Sequence, residues 1–411
     1  MATLVKDNLS DKHGPPPTLT RNFQKFAHVS VTTTIKLITC YPLRLLLWGP
    51  IIMALGLAIA PVSLAFMHLP FDAVPWYKQL AWHYIMLFHV GNIPGFPGID
   101  WLELLSQISH SFLPHLEDRY GKREKGKGFL LTPLTELSRE EFEREGGGAA
   151  FKAKWFERWE PVKLRGFAPN LAEKWSMRRF AETHGDVEVF VFSDHRKSDI
   201  KKIKFRDLSA RIMKGEKVYG RAIAQILQSD PTLLDDLPLE EFKDMRESPL
   251  GHEKDKEYIL QFFSAKNTFT QVHGDFSQNF NIQFEGEKRW IIFPPAMAML
   301  LYPYSKGQNQ FFQGRFDLSN LDFKKFPCLR YVKGYEMYMR PGDMLWLPSW
   351  WWHGVENITT PACSVACDTV GPFRKLFSTN FSMTLAFFAH PYNPLELFIA
   401  TAEETAQRWT I

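Results

Sequence analysis

The stretch Thr270-Gln-Val-His273-Gly-Asp275-Phe-Ser-Gln-Asn279 decides how the rest of the chain is read. A histidine and a carboxylate stand two residues apart, on a segment that continues as an alternating strand. Asn279, Asn281 and Gln283 fall on one face of that strand, and Phe280, Ile282 and Phe284 on the other. The apolar face suits a core, whereas the polar face needs hydrogen-bond partners. Farther along, Pro348-Ser-Trp-Trp-Trp-His353-Gly-Val-Glu-Asn357 supplies a second histidine.

Two histidines and one carboxylate, with coordination positions left open, are the ligand set of non-haem Fe(II) oxygenases. A lone His-X-Asp is common by chance, so its surroundings carry the weight. If Gly286-Glu287 forms a two-residue hairpin turn, Glu285 pairs with Lys288 and Lys288 joins the polar face. A buried lysine needs an anion, and a bound dicarboxylate would supply one. The turn Pro341-Gly-Asp343 feeds a strand that delivers His353 after three tryptophans. Those aromatics are placed to wall a metal from water.

Composition sets the frame. The chain has 411 residues, 45% hydrophobic and 15% aromatic, which suits a β-rich core. A net charge of +4 with no long basic run does not indicate nucleic acid as a partner. Cys40, Cys328, Cys363 and Cys367 show neither CxxC nor zinc spacing, so they read as small buried hydrophobes. Ser138-Arg-Glu-Glu141 is a capping-box pattern, and Gly146-Gly-Gly148 breaks the chain after it. Strands are expected at 258–263, 267–272, 279–284, 289–293, 335–339, 344–347 and 363–370. Helices precede them, which makes the fold class α+β with a sandwich or barrel core.

Five segments follow: a polar and basic head (1–44), an apolar segment (45–71), an apolar helical linker (72–150), a catalytic domain (151–375) and a helical tail (376–411). Residues 45–71 carry no charged side chain. About 20 apolar residues span a bilayer core, so this segment is expected to cross a membrane or to enter it as a hairpin at Pro50 and Pro61. The expected localisation is a membrane anchor, in an endomembrane rather than the plasma membrane. Lys25, Lys36 and Arg44 before the segment would set its orientation.

With these residues assembled, the chain resembles the cupin-like JmjC group of Fe(II)/2-oxoglutarate dioxygenases, which includes protein asparaginyl hydroxylases. The resemblance covers roughly residues 151–373. It rests on Pro161-Val-Lys-Leu-Arg-Gly166, on the series Thr270, His273-Gly-Asp275, Asn279 and Lys288, and on Trp352-His353-Gly-Val355-Glu-Asn357. It implies a double-stranded β-helix, or jelly roll, with flanking helices. It implies iron on His273, Asp275 and His353, and Lys288 on the distal carboxylate of 2-oxoglutarate. Thr270 and Asn279 match cosubstrate positions, and Tyr219 matches a cosubstrate tyrosine across an insertion. Asp368 departs from the pattern, standing near a position where some relatives carry asparagine. A second carboxylate there would repel the cosubstrate unless protonated or turned away.

The expected activity is oxidation of a C–H bond, by hydroxylation or demethylation, coupled to decarboxylation of 2-oxoglutarate by O2. The expected substrate is a protein or another molecule, and nothing in the sequence selects one. The alternative is a cupin-like binding module at a membrane, non-catalytic or holding another metal such as Mn or Zn. The aromatic tail from Leu376 caps the barrel or forms a homodimer face. Asn357 and Asn380 sit in glycosylation triplets, and a glycan on Asn380 would report topology.

Overall fold

Side-chain alternation along Ser277–Glu285 sorts the molecule into an outside and an inside. Phe280 stacks on Phe242 with ring centroids 4.3 Å apart, and Phe284 meets Trp175 edge-on. Both partners belong to helical segments laid over the sheet. The opposite face turns Asn281 and Gln283 into the barrel, where both are buried. The computed structural model describes residues 73–90, 101–123, 128–192, 200–247, 258–305 and 311–389.

Two sheets form the barrel. The first runs, in hydrogen-bonded order, Leu130–Pro133, Lys333–Met339, Lys288–Phe293, Trp352–Asn357, Phe269–Asp275, Phe311–Gly314 and Pro303–Ser305. The second runs Glu136–Ser138, Val162–Arg165, Met344–Leu347, Ser277–Glu285, Ala362–Val370, Tyr258–Ser264, Tyr219–Ile223, Glu188–Phe192 and Ile200–Lys204. Strands 269–275, 277–285 and 288–293 cross from one sheet to the other and back, and so do 333–339, 344–347 and 352–357. Interleaving of this kind makes a double-stranded β-helix.

This corrects one expectation. Residues 286–287 do not close a hairpin, because the strands on either side lie in different sheets. Glu285 pairs with Cys363 instead, and Lys288 lies between Met339 and Asn357. Lys288 still points inward, through pairing within its own sheet. Gly286 makes the crossing possible, with φ +67° and its α-carbon tight against the 359–361 loop. Any Cβ there would collide with the Pro361 carbonyl. Gly286→Ala is therefore expected to lower unfolding free energy by about 2–4 kcal/mol, through overpacking plus left-handed strain. Gly166→Ala is the control, since φ is +62° there but nothing lies within 4 Å of the new methyl. It should cost only about 1–2 kcal/mol. Urea midpoints of the two variants check the difference.

The capping box forms as its pattern predicts: Ser138 N–H donates to Glu141 at 2.7 Å, and Glu141 N–H donates to the Ser138 hydroxyl at 3.1 Å. The Pro341-Gly-Asp343 turn is locked by the Asp343 carboxylate, which accepts from Gly166 N–H, from Arg340 N–H and from Lys163 at 3.1 Å.

The membrane localisation is overturned. Among the described residues no helix is long and apolar enough to cross a membrane. Segment 45–71, on which that expectation rested, lies outside the described residues, as does the 1–44 head. The apolar stretch that follows is spent on packing. Trp76–Val90 is 15 residues and Trp101–His110 is 10, both short of a bilayer span. Their Trp82, Met86 and Leu105 join a core with Phe293 and Trp352 of the first sheet and with Trp350 just before it.

The tail contributes Leu376, Met383 and Phe387 to the same core, with Phe387 stacked on Phe276 at 4.3 Å. Asn380 is fully buried and accepts from Met383 N–H. Asn357 is also buried and donates to Thr268. Both triplet asparagines are thus structural and have no room for a glycan. Cys328, Cys363 and Cys367 are buried free thiols.

Candidate metal centre

Strands 269–275 and 352–357 lie side by side, with His353 directly opposite His273. Their ring centroids are 4.1 Å apart. Asp275 lies two residues from His273 on the same face, its Oδ2 3.3 Å from His273 Nε2 and 4.0 Å from His353 Nε2. One donor atom from each residue falls within 4.8 Å of the others, a group that could hold a metal ion.

Each ring is oriented by its own strand. His273 Nδ1–H donates to the Gln271 carbonyl at 2.8 Å, and His353 Nδ1–H donates to the Trp351 carbonyl at 3.2 Å. That assignment leaves both Nε2 lone pairs facing Asp275. Fixing one ring nitrogen by a hydrogen bond is the usual support of a metal-binding imidazole. Burial, with the charges of His273 and Arg221, brings His353 down to about 3, so it is a neutral donor at ordinary pH. Burial works to raise the Asp275 carboxyl, but His273, then His353 and Arg221, hold it below its ordinary value. Two imidazole nitrogens and one carboxylate converging on one point fit a divalent first-row ion.

The tryptophans are placed otherwise than the sequence suggests. Trp352 is adjacent to His353 in a strand, so it points to the opposite face, where its ring packs against Gly274. Trp350 donates its indole N–H to Thr384 on that same outer side, at 2.8 Å. The aromatic that does lie on the site is Trp290, stacked on His353 at 5.5 Å and 24°. Its signal was in the sequence: Trp290 is two residues from Lys288 and shares its face.

A second group of polar side chains extends from the metal face. Lys288 is 2% exposed and donates to Ser364 Oγ at 2.6 Å. Burial lowers its ammonium to about 7, and among the described residues no carboxylate pairs with it. Thr270 Oγ1 and the Tyr219 hydroxyl lie 2.9 Å apart, both buried. Strict alternation would put Thr270 and His273 on opposite faces. A β-bulge reconciles them: Thr270 pairs with Val355 and His273 with His353, so the 269–275 strand holds one extra residue between. Bulges re-aim side chains in this way beside active sites. Asn279 lies opposite Asp368, and its Oδ1 has no hydrogen-bond partner. Burial, then the nearby Asp275 charge, pushes Asp368 well above the ordinary carboxyl range. A neutral Asp368 removes the repulsion that its presence suggests. Ser364, which holds Lys288, shares a strand face with Asp368 four residues on.

An interleaved double-stranded β-helix with a His-X-Asp…His face defines the cupin-like class of proteins. The family described as "Cupin-like domain" matches residues 148–384, more than half of the chain, and the chain belongs to that family. It is 30% identical over 151 residues to an HSPB1-associated protein 1 homolog of Danio rerio, covering 35% of this chain and 31% of that protein. It is 28% identical over 172 residues to Jumonji C domain-containing protein 5 of Drosophila melanogaster, 40% of this chain and 41% of that one. It is 25% identical over 230 residues to tRNA wybutosine-synthesizing protein 5 of Gallus gallus, 49% and 67% respectively. The match spans less than half the length of the first two relatives. Members of this family typically use Fe(II) and 2-oxoglutarate.

Proposed function

We propose that this chain is an Fe(II)- and 2-oxoglutarate-dependent oxygenase that hydroxylates or demethylates a protein substrate. The observation that carries the reading is the convergence of His273, Asp275 and His353 beside a buried lysine with no carboxylate of its own. In this reading His273, Asp275 and His353 hold the ion. Lys288 receives the distal carboxylate of 2-oxoglutarate, with the Thr270 and Tyr219 hydroxyls and Asn279 completing its polar lining. When bound, Fe(II) with 2-oxoglutarate and O2 supplies oxidation of an unactivated C–H bond, releasing succinate and CO2. The chain's own part is geometric. The Nδ1 bonds keep both imidazoles aimed, Trp290 packs one of them against movement, and the buried Lys288 end keeps water from the cosubstrate carboxylate.

The test is decarboxylation of 2-oxoglutarate by the full chain with Fe(II) and O2, beside His353→Ala. Release of succinate by the wild type and its loss in the variant is the expected result. Equal release by both proteins would remove the reading.

A further inference from the structure

Arg221 has a use that the cosubstrate lining leaves open. It lies in strand 219–223, two residues after Tyr219. Gly220 pairs with Phe263 and Ile223 with Gln261, so Arg221 and Ala222 together stand opposite one residue, Phe262. Ala222 takes φ +56°, a left-handed conformation that a non-glycine residue adopts only where its surroundings impose it. This second bulge re-aims Arg221 as the first re-aims Thr270. Tyr219, two residues before it in the strand, puts its hydroxyl 2.9 Å from Thr270 Oγ1, so Arg221 starts beside the polar lining of the site, and its charge acts to lower Tyr219, Asp275 and His353 alike. Arg221 is partly buried, and among the described residues its side chain has no ion-pair partner. An unpaired arginine between solvent and a metal centre offers a two-pronged site for a carboxylate.

We infer that Arg221 determines substrate specificity by anchoring a carboxylate of an acidic peptide at the open side of the metal centre. The inference rests on the oxygenase reading only in calling that peptide the substrate. It is tested on the full chain with Fe(II) and 2-oxoglutarate, without oxygen. The probes are three pools of random dodecapeptides, built from Ala, Gly, Ser and one of Asp, Asn or Lys. The wild type should retain the Asp pool at least tenfold over the Asn pool, as should Arg221→Lys. Arg221→Gln should lose that preference with 2-oxoglutarate affinity unchanged, and Arg221→Glu should shift retention toward the Lys pool, a gain that misfolding cannot mimic. Equal retention of the Asp and Asn pools by the wild type, or a preference that survives in Arg221→Gln, overturns the inference. So does a tenfold loss of 2-oxoglutarate affinity in folded Arg221→Gln, which would put the guanidinium on the cosubstrate. Failure of the wild type to bind 2-oxoglutarate counts against the oxygenase reading instead, because peptide retention needs no turnover.

Discussion

Asp275→Ala is expected to weaken Fe(II) binding by more than a hundredfold and to abolish succinate release. Changes to outer hydrogen-bond partners of a metal site already cost about 10–100-fold in affinity. Asp275 is closer than that: its Oδ2 is the anionic member of the three converging donors, 3.3 Å and 4.0 Å from the two Nε2 atoms. Without it, two imidazoles remain in a buried site, and a divalent cation would enter with no anion to meet it. Metal content after dialysis and a titration followed by calorimetry both read the effect. Fold is checked by the melting curve. Unchanged metal content in Asp275→Ala would move the centre elsewhere.

Lys288→Met should act with opposite signs on binding and on stability. Removing one partner of a buried charge pair costs about 2–5 kcal/mol, so 2-oxoglutarate affinity should fall by roughly 30- to several-thousand-fold. In the ligand-free protein the same change removes a buried amine that no carboxylate compensates, and a methionine of similar length fills the space. Stability without cosubstrate should therefore hold or rise. pH dependence gives a second signature. The Lys288 ammonium is lowered from 10.5 to about 7 by burial. Above about 7 the free protein carries a neutral amine, so 2-oxoglutarate binding must take up a proton, and affinity should drop by up to tenfold per pH unit. The sign for stability is the reverse. Between about 7 and 10.5 the unfolded chain holds a proton that the folded one has released, so folding gains stability as pH rises through that window. Lys288→Met should flatten both dependences.

Much of the centre was legible because its signals are local. His273 and Asp275 share a face by simple parity, and Asn279, Asn281 and Gln283 show which side of the next strand faces inward. His353 could be paired with them only through the ligand set it completes, and the register brings it directly opposite His273. Other features depend on long-range pairing, which periodicity does not contain. Lys288 reaches the interior through Met339 and Asn357, not through a hairpin with Glu285. Thr270 and Tyr219 meet because a bulge breaks the alternation and a strand from beyond the insertion joins the sheet. The apolar linker shows the same gap: nothing local in the sequence says that Trp82 and Met86 pack on a core shared with the first sheet.

The two Nδ1 bonds to carbonyls two residues upstream have a further consequence. Gln271 and Trp351 hold the rings through backbone alone, so the three donors are assembled before any ion arrives. A preassembled three-donor face ranks divalent ions by their intrinsic affinity, with manganese and ferrous iron at the weak end of the series and nickel, copper and zinc above them. The barrel then has little means of refusing the stronger binders. Which ion occupies it becomes a matter of cellular supply, and protein produced in a nickel- or zinc-rich medium is expected to emerge inactive until stripped and reloaded with iron.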